Sequence, residues 1–133
     1  MSTRVWRLDR GAVLSRLETW ARSLSDDPAV VAVVLFGSWA RGEATPASDA
    51  DVLILLQESP VGFDDRMVRY KPLGLGVSVE VFPYTLAEAR RALEERWGVT
   101  EIALKEGRVL FERDGALDSL TVEVRSAQAG NLT

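Results

Sequence analysis

Eight consecutive apolar residues, Ala29–Phe36, are stopped abruptly by Gly37-Ser38. The run is too short to cross a bilayer, and it is rich in Val, whose branched side chain suits a strand better than a helix. Ser25-Asp26-Asp27-Pro28 bounds it in front, so it reads as a strand apolar on both faces. Such a strand needs cover above and below, which helices can supply. A second strand of this kind is expected over Asp51–Leu56.

The rest of the chain offers the helices. Val13, Leu14, Leu17, Trp20, Ala21 and Leu24 recur at helical spacing and predict an amphipathic helix from about Gly11 to Leu24. One or two helical turns are expected around Asp64–Tyr70, then a third strand over Val77–Phe82 that Pro83 stops. Thr85-Leu86-Ala87-Glu88 is a capping-box pattern, with Leu86, Ala89, Leu93 and Trp97 continuing its stripe and Gly98 as its cap. Thr100–Glu106 reads as a short helix closed by Gly107, and Arg108–Glu112 as a fourth strand. Ala116 to about Arg125 fits helix and strand equally. The fold class is α/β (α+β), a small mixed sheet flanked by helices. With 133 residues, 47% of them hydrophobic, one domain spanning 1–133 is expected, with 126–133 as a frayed tail.

Composition then removes whole chemistries. The chain has no Cys and no His, so thiolate nucleophiles, disulfides, imidazole bases and imidazole metal ligands are all excluded. Any metal must be held by oxygen, which favours Mg²⁺ or Mn²⁺. A net charge of −4 argues against a nucleic-acid partner. The first residues carry scattered charges and no apolar secretory core, and no membrane association is expected, so a cytoplasmic location is the default.

Three places concentrate possible chemistry. Gly37-Ser38, where a strand turns into a helix, can present bare amides to a phosphate, and Ser38 can cap the helix or bind the phosphate itself; an ordinary turn has the same composition. Asp49 and Asp51, one residue apart at the mouth of a strand, would project from one face and repel each other unless a divalent cation joins them. Solvated loop carboxylates are the plainer alternative. Glu80 interrupts a Val-rich strand, so it is exposed, paired or bound to metal; it becomes a third ligand if its strand neighbours that of Asp51. Arg41, one turn past Ser38, can reach the same phosphate or simply face water.

Taken together, the pattern resembles the DNA polymerase β-like nucleotidyltransferase superfamily. It is most similar to the minimal nucleotidyltransferase family, whose Gly-Ser-x-x-Arg-Gly and Ser-Asp-x-Asp elements fall on Gly37, Ser38, Arg41, Gly42, Ser48, Asp49 and Asp51. The third carboxylate of that family falls on Glu80, where Asp is commoner, and the likeness spans about Val30 to Phe82. The resemblance implies a palm-like nucleotidyltransferase fold and transfer of a nucleoside monophosphate, AMP from ATP, to a hydroxyl. It implies Asp49, Asp51 and Glu80 as catalytic metal ligands for Mg²⁺ or Mn²⁺, and Gly37, Ser38, Arg41 and Ser48 at the nucleotide. It also implies a small all-helical partner protein in a toxin–antitoxin couple, whose tyrosine is the acceptor or which is silenced by contact alone. A single small domain leaves half a cleft open, so a homodimer is a further expectation.

Overall fold

The structure, a computed structural model, describes residues 9–131. Helix α1 (Arg10–Ser23) starts at Asp9, whose Oδ1 accepts the Ala12 N–H at 3.0 Å, and buries Val13, Leu17 and Ala21. Every residue of β1 (Val30–Phe36) is buried. There follow α2 (Ser38–Arg41), β2 (Ala50–Leu56), α3 (Phe63–Tyr70), β3 (Val79–Thr85), α4 (Leu86–Glu95), α5 (Thr100–Glu106), β4 (Arg108–Glu112) and α6 (Ala116–Asn131).

The four strands form one sheet in the order β3-β2-β1-β4. β1 runs antiparallel to β2 and β4, whereas β2 and β3 are parallel. A parallel pair needs a crossover, and the chain between Leu56 and Val79, with α3 in it, makes that return. Alternation along the strands separates two apolar faces. Val33, Leu35, Val52, Ile54, Val79 and Val81 pack with Leu17 and Ala21 of α1, Trp39 of α2 and Tyr70 of α3. Val34, Phe36, Leu53 and Leu55 pack with Ala89 of α4, Ala103 of α5, and Leu117 and Leu120 of α6. The mixed sheet flanked by helices matches the expected fold class.

Several boundaries differ from those read in the sequence. β3 starts at Val79 rather than Val77 and runs through Pro83 to Thr85. Proline is tolerated there because β3 lies at one edge of the sheet, where no further described strand needs its missing N–H. Helix α4 ends at Glu95, and Arg96, not Gly98, takes the left-handed cap with φ 60° and ψ 50°. Trp97 therefore leaves the helical stripe and packs edge-on against Tyr84, ring centroids 6.1 Å apart. The undecided segment is helix α6, whose buried Leu117, Leu120 and Val124 recur at helical spacing. It continues through the expected tail as far as Asn131; residues 132–133 lie outside the described residues.

The crossover is pinned by Arg66 of α3, which is 4% exposed. Its guanidinium donates to the carbonyls of Val61 at 3.0 Å and Pro83 at 2.7 Å, and to both carboxylate oxygens of Glu88 at 2.6 and 3.0 Å. Glu88 closes the expected capping box, accepting the Thr85 N–H at 2.8 Å while Thr85 Oγ1 accepts the Glu88 N–H at 3.2 Å. The Arg66 hydrogen bond, opposed by burial and helped by the Thr85 amide, holds the Glu88 carboxyl down at about 2. A depressed carboxyl stabilises the fold above its ordinary value and loses that contribution as pH falls toward the folded value. Stability should therefore decline between pH 4.5 and about 2 in part through Glu88. Arg66→Ala should cost about 3 kcal/mol in urea unfolding, because it strands a carboxylate and two carbonyls; Glu88→Gln should flatten the acid limb of the profile.

Candidate active site

β1 ends where β2 and β3 begin. Phe36 stands opposite Asp51 across the antiparallel pair, and Asp51 stands opposite Glu80 across the parallel pair. These three residues form a row at one end of the sheet, and their side chains open on the face covered by α4, α5 and α6. The Phe36 and Phe82 rings, 5.7 Å apart between centroids, floor that face next to the row. Glu80 is thus on the same side as Asp51, and both are half-buried.

Asp49 lies at the mouth of β2. It is exposed and lies in the loop one residue before β2, so no ladder fixes it beside Asp51. Its charge is nonetheless felt. The Asp51 carboxyl is pushed above its usual range by burial first, then by the negative charges of Asp49 and Glu80, with Arg41 opposing. Among the described residues no three acidic side chains converge closely enough to hold a cation as they stand. The donor chemistry still suits a hard cation: oxygen ligands only, two of them level on adjacent strands and the third in the loop just before β2.

Gly37 joins β1 to α2 and sits against this row. Its φ of 76° and ψ of −156° belong to a region that side chains avoid, and a Cβ there would lie 2.5 Å from Asp51 Oδ2. Glycine is required both by the turn and by the carboxylate. This also corrects the expected helix cap: Gly37 holds the cap position, Ser38 is the first helical residue, and no side chain caps α2. Ser48 shapes the following loop, its Oγ accepting the Thr45 N–H at 2.9 Å and its carbonyl accepting Trp39 Nε1 at 3.2 Å. That hydroxyl is engaged within the loop.

The structure adds Glu106, the last residue of α5, to the site. Its Oε1 accepts the Gly37 N–H at 3.2 Å and Arg41 Nη1 at 2.9 Å. Arg41 Nε also donates to Glu43 Oε2 at 3.1 Å. Nothing local in the sequence connects Glu106 to Gly37, 69 positions away. The available signal is its position, since an acid at the carboxyl end of a helix opposes the helix dipole and needs a cation or donor elsewhere.

Residues 17–109 match the nucleotidyltransferase domain family, and this span contains every site residue named above. The chain belongs to that family. A curated relative, the bifunctional uridylyltransferase/uridylyl-removing enzyme of Cupriavidus pinatubonensis, is 36% identical over 120 residues, covering 84% of this chain and 14% of the relative. The chain thus spans about one-seventh of that relative's length. Two solved structures share the fold. One is a toxin–antitoxin with AMP-PNP, 17% identical, with a TM-score of 0.56 and coverage of 92% of this chain and 89% of that one. The other is a complex of the tri-AMPylated HEPN toxin of Shewanella oneidensis with its MNT antitoxin, 15% identical, with a TM-score of 0.54 and coverage of 91% and 87%.

Two substitutions probe the geometry of this nucleotidyltransferase domain without an assay of activity. Gly37→Ala should destabilise by about 2 kcal/mol, combining an unfavourable φ with the clash against Asp51. Asp51→Asn should raise the melting temperature at neutral pH in the absence of divalent cation. A carboxyl whose folded pKa is raised favours the fold below its unfolded value and loses that contribution as pH rises through the folded one. The gain should therefore vanish on acidification, where Asp51 is protonated in both states. A stability profile of both proteins across pH checks the sign.

Proposed function

We propose that this nucleotidyltransferase domain transfers AMP from ATP to a hydroxyl of a partner protein, with Asp49, Asp51 and Glu80 as its acidic centre. The observation that carries the reading is the level placement of Asp51 and Glu80 on adjacent strands, directly beside the side-chain-free turn at Gly37. Polyphosphate can approach the backbone closely at such a turn, and Arg41 stands one helical turn further on. Asp49, Asp51 and Glu80 would hold Mg²⁺ or Mn²⁺. When bound, the cation supplies charge neutralisation for the phosphates and a lower pKa for the attacking hydroxyl.

The protein's own share is positional. Gly37, Ser38 and Arg41 hold the triphosphate so that the α-phosphorus faces the row of carboxylates. The acceptor oxygen forms a bond to that phosphorus as the bond to the bridging oxygen breaks, and pyrophosphate leaves. The hydroxyl proton passes to a carboxylate or to water, the chain having no imidazole to take it. Support for AMP comes from the neighbours in fold, one solved with AMP-PNP and one with an AMPylated toxin. Those complexes also favour a protein partner; that it is small and helical, with a tyrosine as acceptor, is what the sequence resemblance implies. The uridylyltransferase relative makes UTP the competing donor.

Co-expression with the product of the adjacent reading frame, followed by incubation with labelled ATP or UTP and Mg²⁺ or Mn²⁺, tests the reading. Label should pass from ATP to the partner's tyrosines, and Asp49→Ala and Asp51→Ala should each slow transfer about a thousandfold, a loss of ~4 kcal/mol in transition-state stabilisation. Chelation should abolish it. Equal labelling by wild type and Asp51→Ala defeats the proposal, and a tight complex without label assigns the chain to neutralisation by contact.

A further inference from the structure

The anion that Gly37 and Arg41 hold in this structure belongs to the protein itself. A single oxygen, Glu106 Oε1, accepts both the Gly37 N–H at 3.2 Å and Arg41 Nη1 at 2.9 Å. One oxygen shared between a backbone amide and a guanidinium is how a phosphate oxygen would be held at these donors. The Glu106 side chain is three-quarters buried in this contact. Glu106 also ends α5, where a negative charge is unfavourable, so the contact offsets a cost that its own helix imposes.

The geometry points to Glu106 as an internal competitor of the incoming triphosphate, a latch that must leave Gly37 and Arg41 before a nucleotide can use them. The inference rests on the transfer reading only for the identity of the incoming anion. It follows from counting donors and charges. Arg41 already faces two carboxylates, Glu43 and Glu106, and the acidic row of Asp49, Asp51 and Glu80 lies beyond Gly37. A triphosphate added to this arrangement without displacing Glu106 would meet a carboxylate on its own donors. With Glu106 displaced, the same amide and guanidinium are returned to the ligand. A closed latch reduces apparent affinity by the fraction of molecules that remain open, so a contact formed nine-tenths of the time would weaken binding about tenfold.

Glu43 supplies the control. It pairs with Arg41 through Nε, is well exposed, and accepts no hydrogen bond from Gly37 among the described residues. Removing its charge frees one side of Arg41 and leaves the Gly37 amide occupied.

The test is equilibrium binding of inorganic tripolyphosphate and of AMP-PNP, each with and without Mg²⁺, to wild type, Glu106→Gln, Glu106→Asp and Glu43→Gln. Glu106→Gln should bind both ligands about fivefold to tenfold more tightly, and Glu43→Gln should stay within about twofold of wild type. Glu106→Asp, which keeps the charge on a shorter arm, should also bind more tightly, so the argument does not depend on one variant's folding. Unchanged or weaker binding by the two Glu106 variants, with wild-type melting temperatures, overturns the latch and makes the residue a support for Arg41. An equal gain in Glu43→Gln overturns it as well, because bulk charge would then explain the effect. No turnover is required, so failure of the transfer reading would appear separately, as absence of labelling with the affinity differences intact.

Discussion

The parallel pairing of β2 with β3 sets almost everything at the acidic end of this domain. Strand partners in a ladder are fixed to the residue, because a slip by one would turn every side chain to the opposite face. Here such a slip would drive Val52 and Ile54 out of one core and Leu53 and Leu55 out of the other, all of them fully buried. The apolar interior therefore enforces a register in which Asp51 and Glu80 are neighbours. No attraction between the two carboxylates is needed, and there is none: the Glu80 charge raises the cost of ionising Asp51. Hydrophobic burial over seven-residue strands holds together two groups that would separate if free.

That arrangement explains how strain is distributed over the molecule. The acidic row, the glycine turn at Gly37 and the acid at the end of α5 are each locally unfavourable. The compensations lie at the other end of the strands. Arg66 ties α3 to Glu88 and the end of β3, and the Tyr70 hydroxyl donates to Asp27 Oδ2 at 2.7 Å, joining α3 to the segment that leads into β1. Burial and that hydrogen bond push the Tyr70 phenol up to about 12, and the same bond is the main reason the Asp27 carboxyl is lowered. Local conflict gathered at one end and consistent packing at the other is the distribution expected where a fold carries a site.

Much of this was readable from local pattern. The unbroken apolar runs gave β1 and β2 to within a residue, Thr85 and Glu88 gave the start of α4, and the spacing in Thr100–Glu112 gave α5 and β4. What failed to show depended on relations between distant segments. Pro83 reads as a stop signal, and only the edge position of β3 makes it harmless. Arg96 looks like one more helical residue, but the close packing of Gly98 and Trp97 on Tyr84 turns the chain earlier. At the site, Asp51, Glu80 and Gly37 were legible because charge or flexibility stands out inside apolar sequence. Asp49 lies one residue ahead of β2, so strand alternation alone does not fix its direction. Glu106 had no local mark beyond an ill-placed charge.

Openness is the remaining physical constraint on how such a site can act. Asp51 and Glu80 are only half-buried and Asp49 and Arg41 are exposed, so the acidic row stands open to water. Transfer of a phosphoryl-type group benefits when water is excluded, because fixed charges act more strongly in a drier setting. On the proposed transfer reading, cover for the row comes from whatever brings the hydroxyl. A protein acceptor would carry such cover with it, whereas a small free alcohol would not.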